Sequence, residues 1–321
     1  MAFITDRDAA KRIFEETAAK DVSVALFCTG SFWNIEAILL AADNFAKKHG
    51  IKDIPVVVAM TCLYTHMQQA KRFTYSGNEH TGLRTGFEYC KMLCDGPYAP
   101  YNNVTVMTHL DHADPVRDNW ALTENTDILT SVMFDGQEYP FEQNAEMTRE
   151  YVKKYGDKVL VEGIIEGLAV GVEHKEGKKS DDYIEKAVDF ISRTGVDFLV
   201  ADLGTEQQSL GTEAVYLKDR AQALTEALGR KMLVLHGVSS MKNEDIKGLA
   251  ADGVVRVNMW TRIVRESGQY AARKLEERLE AIKAGDFEAT EATAYINDNI
   301  FEAARVMEYV MGGLGYGNLR A

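Results

Sequence analysis

Cysteine and proline are scarce, with four of the first and five of the second in 321 residues. Cys28, Cys62, Cys90 and Cys94 include no Cys-x-x-Cys pair and are too few to staple a chain of this length, so reduced and mostly buried thiols are expected. Positive charge is also short. Lys and Arg total 36 against 49 Asp and Glu, a formal charge of -13, which removes the basic footprint that a phosphate backbone requires and argues against nucleic-acid binding. No run approaches about 18 uninterrupted apolar residues. The stretch Met1 to Arg7 also lacks the apolar region of an export signal, so neither a membrane span nor secretion is expected, and the expected location is cytoplasmic.

What the chain does have is 46% hydrophobic content in a regular arrangement. Apolar, β-branched runs recur at Val22 to Cys28, Ile54 to Met60, Val104 to His109, Ile128 to Phe134, Val159 to Ile165, Val196 to Asp202, Lys231 to His236 and Val254 to Met259. Between them lie segments with helical spacing of apolar residues, among them Asp8 to Lys20, Asn34 to Lys48, Phe141 to Lys154, Asp181 to Arg193 and Val215 to Leu228. Such alternation predicts parallel β/α units, and eight of them predict an α/β fold of the closed (β/α)8 TIM-barrel type rather than an open doubly wound sheet. No linker divides the sequence, so residues 1–321 are expected to form a single domain. Phe73 to Pro100 is long enough for a helix and an active-site loop. Thr261 to Ala284 and Asn297 to Met311 are expected to complete the barrel and add C-terminal helices of the kind that build a homodimer or homotetramer. The glycine-rich tail Gly312 to Gly317 has no strand leading into it and is expected to be a flexible terminus.

Barrels of this kind carry their chemistry at the carboxyl ends of the strands. Two runs end there in metal-binding side chains. His109-Leu110-Asp111-His112 follows Val104 to Met107, and His236-Gly237 follows Leu233 to Leu235, so two imidazoles are expected to converge on one ion.

With these motifs in place, the chain resembles the class II, metal-dependent ketose-bisphosphate aldolases, the fructose- and tagatose-bisphosphate group, nearly from end to end. The resemblance rests on His109 to His112, Ser131-Val132-Met133-Phe134-Asp135-Gly136, Arg193-Thr194-Gly195-Val196-Asp197, Leu233 to Gly237, and Val257-Asn258-Met259 with Thr261. It implies a carbon-carbon lyase in which a divalent metal, zinc first, acts as a Lewis acid on a ketose carbonyl and stabilises the enediolate left after cleavage. It implies Asp111 as acid and base, and His112 and His236 as metal ligands. Asp135 and Glu162 become carboxylates behind the metal or at an alternate position for it, while His109 braces the site. Gly237, Ser239, Asn258, Thr261 and Thr61 become contacts to a sugar phosphate.

Several positions depart from the family pattern. Its third histidine is Gln207 here, in Gly204-Thr205-Glu206-Gln207-Gln208, and an amide oxygen is a harder ligand that lets other divalent ions compete with zinc. The second carboxylate after strand five is Ile164. The loop from Leu168 to Lys179 is shorter than the family's lid. The phosphate turn reads His236-Gly237-Val238-Ser239-Ser240, and the acidic residue that meets substrate hydroxyls is Trp260. Arg256, Arg262 and Arg265 are read mainly as solvated helix-face cations, with compensation for the lost phosphate contacts as the alternative. No lysine lies in Phe198 to Leu203 to form an imine. The leading expectation is therefore a metal-dependent aldolase or retro-aldolase. An epimerase or isomerase on the same barrel and a non-catalytic assembly or ligand-binding member are the alternatives.

Overall fold

The computed structural model describes residues 2–168, 182–209, 211, 214–242 and 244–320, with only the backbone described at 292–294. Nine parallel strands run in chain order as β1 (Phe3–Ile4), β2 (Val24–Cys28), β3 (Ile54–Met60), β4 (Val104–Ala113), β5 (Ser131–Phe134), β6 (Leu160–Ile164), β7 (Phe198–Val200), β8 (Leu233–Leu235) and β9 (Val254–Met259). β4 pairs with β3 on one side and β5 on the other, while β2 meets β9 and the rest follow in sequence, so eight strands close into a TIM barrel. β1 pairs only with the lower part of β4, at Val106 and Met107. All eight runs read from the sequence supply barrel strands. The stretch from Phe73 to Pro100 holds the helix Glu79–Cys94, capped by the Asn78 side chain.

Two apolar cores follow from the period-2 alternation of the strands. Val24, Leu26, Val57, Ala59, Met107, Met133, Leu160, Ile164, Val200 and Val234 fill the inside of the barrel. Their neighbours of opposite parity pack under the surrounding helices. The helix Arg7–Ala19, started by Asp6 accepting from Ala9 N–H at 2.7 Å, joins the inner core through Ala10, Phe14 and Ala18, with Phe14 edge-on to Phe198 at 4.9 Å. Apolar closure at that end leaves polar side chains to gather at the other.

Two long helices, Thr261–Lys283 and Ala292–Gly313, follow β9, and the second packs against Phe32–His49. The glycine-rich tail is not a flexible terminus. It turns at Gly315 (φ +87°) into a short 3-10 helix, Tyr316–Leu319, and Tyr316 is fully buried. Its hydroxyl donates to Pro55 C=O at 2.8 Å and accepts from Ala25 N–H at 2.9 Å. One aromatic anchor thus fixes a segment whose glycine content alone suggested mobility.

Candidate active site

β4 departs from regular pairing where the site begins. Leu110 faces Val132 and Ala113 faces Phe134, so three steps along β4 are matched by two along β5, which is a bulge. His112 sits in the left-handed region at φ +48°. Simple alternation would send Asp111 and His112 to opposite faces of the sheet. The bulge and the left-handed turn bring both to the barrel mouth, which accounts for strained backbone at a non-glycine residue.

β8 delivers His236 to the same point. Ligand atoms of Asp111, His112 and His236 all lie within 4.8 Å of one another, and the three residues are 3–4% exposed. The two rings meet edge to face at 5.0 Å. His112 Nδ1 is 2.7 Å from Asp135 Oδ2, and His236 Nε2 is 3.2 Å from Glu162 Oε1. Each imidazole therefore has one nitrogen beside a carboxylate, and His236 Nε2 is also 2.9 Å from Asn258 Nδ2, so His112 Nε2 and His236 Nδ1 are the nitrogens without these contacts. Carboxylate-histidine pairing of this kind is what a divalent ion requires of its ligands, so the donor set fits a metal.

Asp111 is held from two further directions. Asn258 Nδ2 donates to its Oδ1 at 3.3 Å and the Cys28 thiol to its Oδ2 at 3.6 Å. Burial pushes the Asp111 carboxyl upward, but the neighbouring His112 and the contacts with His109 and His236 outweigh it and keep the group well below the usual carboxylate range. Burial and the neighbouring His112 lower His236 to about 4. Burial also acts to lower His112, but Asp111 and Asp135 overcome it and raise that imidazole. His109 is fully buried, with Nδ1 2.8 Å from Ser131 Oγ and Nε2 3.7 Å from Asp111 Oδ1.

Thr61, Gln207, Gly237, Ser239, Asn258 and Thr261 line one cavity with the Asp111, His112 and His236 cluster. Gly237 has φ +71°, and a Cβ there would lie 2.7–2.9 Å from the Glu206 backbone, so both conformation and space demand glycine. Ser239 Oγ accepts from Arg262 N–H at 3.0 Å, which ties the turn after β8 to the start of the helix Thr261–Lys283. Gln207 Oε1 accepts from the Tyr64 hydroxyl at 3.3 Å, and the Tyr64 ring stacks on His112 at 4.2 Å and 7°. Of the shortened lid, only Leu168 belongs to the described residues.

Arg256 is not a helix-face cation. It lies on β9, two residues before Asn258 and on the same face, and is 0% exposed inside the barrel. The alternation Val255-Arg256-Val257-Asn258 carried that signal, since Asn258 was already placed inward. Cys28 had a weaker one, as the last residue of an apolar strand. Tyr64 comes from the loop after β3, and nothing in the sequence pointed to it.

A parallel barrel with a carboxylate and two carboxylate-backed histidines gathered at its mouth is the architecture of a barrel enzyme. Residues 8–311 match the family model for class-II fructose-bisphosphate aldolase, and the chain belongs to that family. It is 31% identical over 193 residues to a sulfofructosephosphate aldolase of Alkalicoccus urumqiensis, covering 56% of this chain and 62% of that one. It is 34% identical over 210 residues to a fructose-bisphosphate aldolase of Streptococcus pneumoniae, covering 64% and 66%. The matched region thus spans a little under two thirds of each of these relatives. A solved fructose-bisphosphate aldolase of Campylobacter jejuni superposes with a TM-score of 0.73 at 16% identity, covering 98% of this chain and 96% of that one, a likeness of fold. Among the described residues, no helix is long and apolar enough to cross a membrane.

Proposed function

We propose that this protein is a metal-dependent aldolase that cleaves a carbon-carbon bond of a phosphorylated ketose or related sugar phosphate, and forms it in reverse. The observation that carries the reading is the convergence of Asp111, His112 and His236 within 4.8 Å at the barrel mouth. His112 Nε2 and His236 Nδ1 are the nitrogens that would hold the ion, with Gln207 as the remaining position expected from the family. When bound, a divalent ion supplies Lewis acidity toward the ketose carbonyl and the negative charge that develops there.

The chain's own residues do the rest. Asp111, held well below the usual carboxylate range beside His112, takes the proton of the C4 hydroxyl during cleavage and returns it during condensation. Asn258 and Cys28 orient that carboxylate through one donor to each oxygen. Backbone N–H groups after Gly237, the Ser239 and Thr261 hydroxyls and the amino end of the helix Thr261–Lys283 receive the substrate phosphate. Stacked over His112, Tyr64 limits the approach of water. The phosphorylated ketoses in the relatives' names support this substrate class.

The test is product analysis. Protein loaded separately with Zn²⁺, Mn²⁺ or Mg²⁺ is incubated with a panel of ketose phosphates, and triose phosphate is measured with and without chelator. Cleavage that chelator abolishes and added metal restores is the expected result. Retention of no divalent ion together with no cleavage, or a rearranged ketose in place of two fragments, overturns the reading.

A further inference from the structure

Below the candidate metal site, the inner core holds a buried charge pair. Arg256 and Glu162 are both 0% exposed, and the Arg256 Nη2 group is ion-paired with Glu162 Oε2. Two charges at this depth carry a large desolvation cost, which is offset only if each remaining polar atom meets a partner in good geometry. Here Arg256 Nη1 makes no hydrogen bond among the described residues, and the partners of the other atoms are residues of the site above. Glu162 Oε1 is 3.2 Å from His236 Nε2. Arg256 Nε–H donates to Asn258 Oδ1 at 3.2 Å, and Asn258 Nδ2 reaches Asp111 Oδ1 at 3.3 Å. The guanidinium also lies over the Phe198 ring, 5.7 Å from its centroid, which closes the inner side of the pair.

The directions of these bonds are fixed. Guanidinium N–H groups only donate, so Asn258 must present its oxygen to Arg256 and its nitrogen to Asp111. Glu162 Oε1 at 3.2 Å and Asn258 Nδ2 at 2.9 Å both meet His236 at Nε2, so the orientation of that ring depends on the two residues that Arg256 holds. One planar cation thereby sets two orientations at once, that of the acid-base carboxylate and that of a metal-ligating ring. We propose that Arg256 is a positioning residue that anchors Glu162 through one nitrogen and Asn258 through another, locking His236 and Asp111 in their working geometry without touching substrate.

A lysine has a single nitrogen and cannot occupy both the Nη2 and Nε positions. In Arg256→Lys, Glu162 stays paired and Asn258 loses its anchor. Thermal stability of the metal-free protein and Zn²⁺ affinity are then expected to stay near wild type, while kcat falls by about a hundredfold with little change in KM. The double variant Arg256→Met/Glu162→Gln removes both charges, so no unpaired ion is left buried, and it serves as the folding control. Its Zn²⁺ affinity is expected to fall by about 10- to 100-fold, because His236 loses its charged partner. Imidazole ¹⁵N spectra of metal-free protein give a readout independent of turnover. The His236 ring ¹⁵N shifts are expected to report one defined tautomer in wild type and tautomer averaging in the double variant.

Wild-type kcat in Arg256→Lys, or wild-type Zn²⁺ affinity with wild-type His236 ring ¹⁵N shifts in the double variant, overturns the proposal. The kinetic arm rests on the aldolase reading, and the spectroscopic and Zn²⁺ arms do not. Absence of sugar cleavage by wild type would therefore sink that reading while leaving the role of Arg256 to be decided by the other two measurements.

Discussion

Asp135 Oδ2 stands 2.7 Å from His112 Nδ1, and that contact determines which nitrogen of the ring faces the barrel mouth. The same oxygen accepts from Gln137 Nε2 at 2.9 Å, so the carboxylate is itself held in place. Asp135→Ala should leave His112 free to rotate and lower Zn²⁺ affinity by about 10- to 100-fold. Competition against a chromophoric chelator measures this directly, and unchanged affinity would mean that Asp135 does not orient the ligand.

Asp111→Ala tests the proton-transfer role. Turnover should drop by about a hundredfold or more, the scale of general acid-base catalysis. Zn²⁺ content and the melting temperature should change far less than turnover. An active variant would remove Asp111 from the mechanism.

Gln207→His restores an imidazole at the position where the family has its third histidine. Tyr64, which now donates to the Gln207 amide oxygen, should then meet a ring nitrogen, and Zn²⁺ should bind more tightly relative to Mg²⁺ and Mn²⁺. Metal titrations on the two proteins make the comparison. An identical selectivity order would place residue 207 outside the coordination sphere.

Stability should depend on pH through two buried imidazoles. Burial, with Arg256 nearby, lowers His109 to about 3, and burial with His112 lowers His236 to about 4. Both stay neutral in the fold, while the unfolded chain takes up protons as pH drops below about 6.5. The unfolded state then binds more protons than the native one, so stability present above pH 6.5 is lost progressively as pH falls toward those values, at about 1.4 kcal/mol per unit for each group. Urea denaturation of metal-free protein between pH 4 and pH 7 should show this slope, and His109→Gln should flatten it. The same slope in the variant would assign the dependence elsewhere.

Gly237→Ala should destabilise the protein by about 1–3 kcal/mol, the cost of a side chain at strongly positive φ, and displace the turn after β8 from the Glu206 backbone. Denaturant midpoints measure the first effect. A rise in KM for the sugar phosphate, larger than any fall in kcat, would report the second.

Much of this architecture could be read from the residues. Eight apolar runs gave the barrel because strands buried on both faces need little polar content, and the strand-end rule placed His112, His236 and Asp111 at one end. What stayed hidden depends on contacts rather than on pattern. A period-2 reading cannot foresee a bulge that turns two successive residues the same way. Arg256 looked like a surface cation because charge alone is usually solvated, and only its partner Glu162, 94 residues away, makes an interior position tenable. The tail was misjudged for a similar reason, since the two backbone groups that Tyr316 satisfies belong to distant strands.

The bulge in β4 also ties the proposed ion site to a single junction in the wall of the molecule. Asp111 and His112 share an orientation only while β4 remains hydrogen-bonded to β5 on either side of the irregularity, at Leu110 and Ala113. Parting of that one seam would scatter two donors while the other seven barrel pairings stayed intact. Loss of bound metal should therefore be an early sign of the barrel coming undone, ahead of any change in its helical signal.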